Sequence, residues 1–264
     1  MIKKINENMF LRTKARSWFV EPNKRKISLE YDHRESKDIQ KLSIETFLAY
    51  YKSLFNNYPK TILDIGCGQG ESLEYLNKKG NHSRNLVGID YSRESLEAAK
   101  NKGISAQFIE GDIEEMTLDT LATRRFDVIF IHLCFSLFMN PYDLISKLIQ
   151  LMSNQSLIYI VDLNPEEIDN ALETAKSPSE EKYLIDQYRA SFSQNDMQLI
   201  LKKVFEENNI KYHVGTHPLG GFSTEMLEFH NIISQQDFLE NLPVFNPQSQ
   251  KMIHFLNSWI IKTS

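Results

Sequence analysis

The sequence is short of several things. None of its apolar runs reaches the ~20 residues that a membrane-spanning helix needs. The start, Met1-Ile-Lys-Lys-Ile-Asn-Glu-Asn8, has no apolar stretch of the kind a secretory signal carries. There are only 2 cysteines in 264 residues, Cys67 and Cys134, far apart in sequence and in apolar surroundings. That provides no disulfide framework and fits a reduced, cytoplasmic setting. Positive charge is not in excess: the formal net charge is −5, so nothing draws the whole chain to nucleic acid. No His/Asp/Glu cluster has the spacing of a metal site, and no metal is expected. Internal repeats and low-complexity tracts are also missing.

What is present is organised around Thr61-Ile-Leu-Asp-Ile-Gly-Cys-Gly-Gln-Gly70. Ile62, Leu63 and Ile65 form a short aliphatic run bounded by turn residues. Such a run reads as a buried strand of a parallel sheet. Gly66, Gly68 and Gly70 follow at alternate positions, and Glu71-Ser-Leu-Glu-Tyr-Leu76 begins a helix. Glycine lets the chain turn sharply and lets a ligand approach the backbone. The helix start offers free N–H groups to an electron-rich ligand. Asp64 lies inside the strand, where a carboxylate is costly unless paired.

Leu63-Asp-Ile-Gly-Cys-Gly-Gln-Gly70 resembles the first motif of class I S-adenosylmethionine (SAM)-dependent methyltransferases. In the rival dinucleotide fingerprint the third glycine comes one position later, where this chain has Glu71. The resemblance implies SAM as cofactor, held by Asp64, Gly66, Cys67 and Gly68. It also implies a Rossmann-like, seven-stranded, mostly parallel sheet with helices on both faces.

The following elements fit that reading. Asn85-Leu-Val-Gly-Ile-Asp90 is a second strand ending in an acid about 20 residues beyond the glycines, where a carboxylate meets ribose hydroxyls. Tyr91 can lie against an adenine, and Ser92 is a good helix N-cap. Ile104–Glu110 is a third strand followed by Gly111-Asp112-Ile113. By resemblance Asp112 holds the adenine amino group and the Ile113 backbone meets the ring; Asp112 taken alone also reads as an N-cap. Phe126–Cys134 is a fourth strand. His132, Leu133 and Phe135 lie at its open end, with Leu133 assigned to the cofactor and Phe135 to the substrate. Asn140-Pro141 reads as a helix start rather than a nucleic-acid methyltransferase motif. Ser156–Leu163 is the fifth strand.

The remainder is assigned as follows. Residues 1–58 read as an N-terminal helical lid, including a helix from about Ser36 to Phe55, with Tyr31 and Arg34 or Arg16 facing the cofactor carboxylate; the alternative is that this helix simply packs on the sheet. Residues 59–264 form the methyltransferase domain. Residues 165–193 exceed what a crossover needs and read as a substrate cap, broken at Ser177-Pro178, with Tyr183, Tyr188, Arg189 and Phe192 turned inward to the substrate or only packing the cap on the sheet. Lys211–His217 and Glu225–Ile233 read as the last two strands, the final one antiparallel, joined through Phe222, a substrate contact. Residues 235–264 read as a helical tail that covers apolar surface and could join two copies into a homodimer. His132 and His217 are the candidate general bases, since histidine titrates in the useful range; structural histidines are the alternative. The acceptor reads as an oxygen or nitrogen of a small molecule. An RNA or protein methyltransferase, which needs a basic stripe such as Lys14 to Lys26, and a non-catalytic SAM-binding module are the other readings.

Overall fold

The computed structural model describes residues 9–35, 37–79, 84–117, 121, 124–208, 213–218 and 255–262. Three helices lead in, α1 (Met9–Val20), α2 (Pro22–Glu35) and α3 (Lys37–Phe55). Strands and helices then alternate: β1 (Thr61–Ile65), α4 (Glu71–Lys78), β2 (Asn85–Asp90), α5 (Arg93–Asn101) and β3 (Gln107–Glu110). After them come β4 (Phe126–His132), α6 (Pro141–Ile149) and β5 (Met152–Leu163). The cap follows as α7 (Ile168–Leu172) and α8 (Pro178–Ala190), then α9 (Gln194–Asn208), β6 (His213–Pro218) and β7 (Phe255–Lys262).

The sheet order is β3-β2-β1-β4-β5-β7-β6. β1 pairs in parallel with β2 and β4, so the carboxyl ends of the central strands share one edge. β7 runs antiparallel between β5 and β6. The period-2 alternation of side chains separates two cores. Ile62, Phe130, Tyr159 and Trp259 face α3, where Phe47 and Tyr50 pack on them. Leu63, Ile129, Ile158 and Ile260 face the opposite way, onto Leu144 and Leu148 of α6 and Ile200 and Val204 of α9. Asn140 caps α6, accepting from Asp143 N–H, with Pro141 at the first turn as expected.

The C-terminal tail is a correction. Phe255–Lys262 is a strand, not part of a helix. Leu256, Trp259, Ile260 and Ile261 are all buried. A strand covered on both faces has a nearly continuous apolar run, and periodicity does not distinguish that from a buried helix. The expected strand at 225–233 and Phe222 lie outside the described residues.

Above the carboxyl edge, α1, α2, α7 and α8 share a third apolar cluster built from Trp18, Tyr31, Ala171, Tyr183, Leu184 and Tyr188. The Tyr183 ring packs edge-on to Trp18 at 5.5 Å and to Tyr31 at 5.6 Å between centroids. Asp186, buried on α8, accepts from Trp18 Nε1 at 2.9 Å and pairs with Lys14 at 2.7 Å. Gln187 Nε2 donates to Ala15 O at 3.0 Å. The N-terminal segment and the cap are therefore one packed unit. Asp186→Ala strands the Trp18 donor and the Lys14 ammonium and should cost about 1–3 kcal/mol. Urea unfolding should show that loss, with faster proteolysis within 9–35; an unchanged midpoint and cleavage rate would mean that the lid closes without this carboxylate.

Candidate active site

The loop after β1 is set by backbone geometry. Gly66 and Gly68 hold φ of 69° and 51°, in the left-handed region that disfavours a Cβ. A Cβ on Gly66 would sit 2.6 Å from Cys134 Sγ, whereas one on Gly68 would meet nothing within 4 Å. Gly66 therefore packs inward and Gly68 forms open floor. Gly66 N and Cys67 N both donate to Ile89 O, at 2.8 and 3.0 Å. Asp90, at the end of β2, accepts from Gly68 N at 2.9 Å and from Ser92 N at 2.8 Å. A carboxylate has about four lone-pair sites, so two remain for a ligand. Burial raises its pKa, opposed by those two N–H donors. Asp64 lies behind the loop with Oδ2 unpartnered among the described residues. Burial, then the charges of Asp90 and Glu71, pushes its carboxyl well up.

Beside Asp90 a cavity is walled by Ile65, Gly66, Ile89, Tyr91, Gly111, Asp112, Ile113, Cys134, Leu137 and Phe138. The resemblance assigned an adenine to this place. Asp112 Oδ1 accepts from Glu114 N at 3.0 Å, so its turn-capping role is real. Its Oδ2 takes an ion pair from Arg16 of α1, whose guanidinium lies 5.3 Å from the Tyr91 ring centroid. Lys147 of α6 clamps the loop from outside, donating to Ile113, Glu114 and Met116 carbonyls at 2.7–2.9 Å. Glu114 accepts from Met139 N and Asn140 N at 2.9 and 2.7 Å, and neither it nor Lys147 is legible in the sequence, because both act on backbone atoms far away in the chain.

A larger cleft continues from Gly66, Cys67, Gly68 and Asp90 past His132, Leu133 and Cys134 to Phe19, Arg25, Leu29 and Asp32 of the lid. Leu133 has φ 54°, a left-handed conformation that costs a non-glycine residue about 1–3 kcal/mol. Beyond it lies an aromatic cavity lined by Tyr31, Glu35, Leu163, Tyr183, Gln187, Tyr188 and Phe255. Both thiols are free, and burial raises the pKa of each, so neither is an activated nucleophile.

Several expected roles need correcting. Phe135 is fully buried against Phe138 and Phe192 in the core below the cleft, and so is not a substrate contact. Phe192, expected to face inward from the cap, belongs to that same core. Arg189 is exposed, one step round α8 from Tyr188. Arg34 pairs with Glu180 and Glu35, and Arg16 pairs with Asp112 beside Tyr91 in the smaller cavity, so neither faces the place expected for the cofactor carboxylate; Arg25 lines the larger cleft. His132 lines the cleft with Nε2 unpartnered among the described residues, but burial pushes its pKa down to about 3, which makes it a poor base near neutrality. His217 lies in β6, three strands across from β4, or roughly 14 Å at ~4.8 Å per strand.

The comparisons agree with this geometry. The family described as "Methyltransferase domain" matches residues 57–209. The plantazolicin methyltransferase BamL, solved with a triazolic desmethylPZN analog and SAH, is 39% identical over 100% of both chains, with a TM-score of 0.86. BpumL, solved with a pentazolic analog and SAH, is 40% identical over 100% of both chains, with a TM-score of 0.85. A malonyl-[acyl-carrier protein] O-methyltransferase of Halalkalibacterium halodurans is 27% identical over 58% of each chain. The chain spans about half the length of the curated relatives it matches.

His132 also makes stability depend on pH. Its folded pKa lies below its ordinary 6.5, so the unfolded chain binds the extra proton. The contribution is present above pH 6.5 and is lost as pH falls toward about 3. His132→Gln should flatten the stability profile in that window by at most about 1.4 kcal/mol per pH unit. Urea midpoints for both proteins across pH 4–7 measure it; parallel profiles would mean that the imidazole is hydrated.

Proposed function

The chain belongs to the methyltransferase-domain family, and we propose that it moves a methyl group from SAM to a nitrogen or oxygen of a small-molecule acceptor. The observation that carries this reading is the Asp90 carboxylate, anchored by Gly68 and Ser92 N–H groups between an open glycine floor and a largely apolar cavity. The residues present fit the cofactor. Asp90 retains acceptor capacity for ribose hydroxyls. Ile89, Tyr91, Ile113, Leu137 and Phe138 offer faces to a purine. Asp64 Oδ2 is a buried acceptor without a donor among the described residues, suited to an ammonium.

When bound, SAM supplies an electrophilic methyl group on a sulfonium. The task of the protein is positioning and exclusion of water. The lid and cap, joined through Trp18, Asp186 and Tyr183, cover the cleft and give the acceptor an aromatic cavity. Tyr31, Tyr183 and Tyr188 suit a flat, unsaturated acceptor, in keeping with the azole-bearing ligands of BamL and BpumL. The basic stripe that an RNA or protein acceptor would use is consumed internally. Lys14 pairs with Asp186, Arg16 with Asp112, Lys24 with Glu21 and Arg25 with Glu94. This favours the small-molecule reading over the macromolecular one.

Two measurements test the proposal. Incubated with radiolabelled SAM, the protein should label a small-molecule extract and leave tRNA and protein fractions unlabelled; the reverse partition would sink the acceptor class. Asp90→Ala should weaken SAH binding by roughly 1.5–3 kcal/mol, since it removes a charged acceptor and frees the glycine loop. Calorimetry giving equal affinities would remove Asp90 from the site.

A further inference from the structure

The cofactor cleft and the aromatic cavity share two lining residues, Asp32 and Leu133. They form the seam where one space opens into the other. Leu133 comes from the carboxyl end of β4, held in its left-handed conformation with N–H bonded to Val161 O at 2.8 Å. Unusual backbone of this kind persists where surrounding structure enforces it, often at functional sites. Asp32 comes down from α2 in the lid. Tyr183 OH of α8 donates to its Oδ1 at 2.8 Å.

We infer that the methyl group crosses at this seam, and that Asp32 is the carboxylate that meets the acceptor heteroatom and takes its proton. The inference rests on the methyltransferase reading above. The lone pair of the acceptor forms the new bond to the methyl carbon. The carbon–sulfur bond breaks, and its electron pair stays on sulfur, turning a sulfonium into a thioether. The N–H or O–H proton of the acceptor passes to the Asp32 carboxylate and then to water through the cleft. No further reactant is needed.

The other ionisable groups are less suited. His132 is held neutral as a very weak base. Asp90 is engaged by two backbone donors on the cofactor side. Glu35 lines the aromatic cavity but not the cofactor cleft, and it pairs with Arg34. Burial pushes the Asp32 carboxyl up to about 7, partly opposed by the Tyr183 hydrogen bond, which gives a base of useful strength near neutrality. The titratable and charged groups that line the same two spaces as Asp32 are Arg25, Tyr31, His33 and Glu35 on its own helix, Tyr183 and Tyr188 on α8, His132 and Cys134 at the end of β4, and Cys67, Glu71, Asp90 and Tyr91 on the cofactor side. Arg34 is turned away to Glu180.

The test uses the full chain. Infrared difference titration should show a carboxyl band ionising near neutrality, absent in Asp32→Asn and moved to higher pH in Tyr183→Phe, which loses the donor. The SAH dissociation constant of Asp32→Asn should stay within twofold of wild type. With the triazolic desmethylPZN analog as probe acceptor, Asp32→Asn should lose at least tenfold in kcat together with the ascending pH limb near 7, and Asp32→Glu should recover part of both. No neutral-range carboxyl, or full kcat and pH profile in Asp32→Asn, would overturn the inference. A large loss of SAH affinity would also overturn it, by making Asp32 a cofactor ligand. If wild type binds SAH but leaves the analog unmethylated, that acceptor is excluded, while the infrared titration and the SAH affinity still decide the case for Asp32.

Discussion

The site depends on one bridging carboxylate. Asp90 ends β2, yet it accepts from Gly68 in the loop after β1 and from Ser92 at the start of α5. These two bonds lock neighbouring strand ends into one floor. The glycine conformation, the inward packing of Gly66 on Cys134 and the open face over Gly68 all depend on that registration. Parallel pairing of β1 with β2 and β4 brings the loops to one edge. Asp90 then fixes their spacing.

The second constraint is that this edge is roofed by segments from opposite ends of the topology. α1 and α2 precede the sheet, whereas α7 and α8 interrupt it after β5. They meet on Trp18, Tyr31 and Tyr183, with Asp186 at the hub. Because α1 also places Arg16 against Asp112 and Tyr91, the same helix touches the adenine-type cavity and braces the wall of the acceptor cavity.

The half of the candidate site around Asp90 is legible in the sequence because local chemistry dictates it. A strand, a glycine loop, an acid at the next strand end and Asp112 in the following loop occur in sequence order, and each lines or supports the cleft. The acceptor half was not. Tyr188 and Arg189 are adjacent in sequence, but only the helical rotation of α8 decides that one is buried and the other exposed. Phe135 sits beside Leu133 and still belongs to the core, because the chain turns into a short 3₁₀ segment there. Asp32 carries no signal in the sequence of α2, and its place beside Tyr183 of α8 and Leu133 of β4 follows from the packing of the lid. β7 was misread because a strand buried on both faces lacks the alternation that identifies strands.

The most direct test is a crystal structure of the chain with SAH. The account places the ribose hydroxyls on Asp90, the purine between Ile89, Tyr91, Ile113 and Phe138, and the thioether sulfur facing the opening between Leu133 and Asp32. SAH bound elsewhere, or in this cleft with its sulfur turned away from that opening, would contradict it.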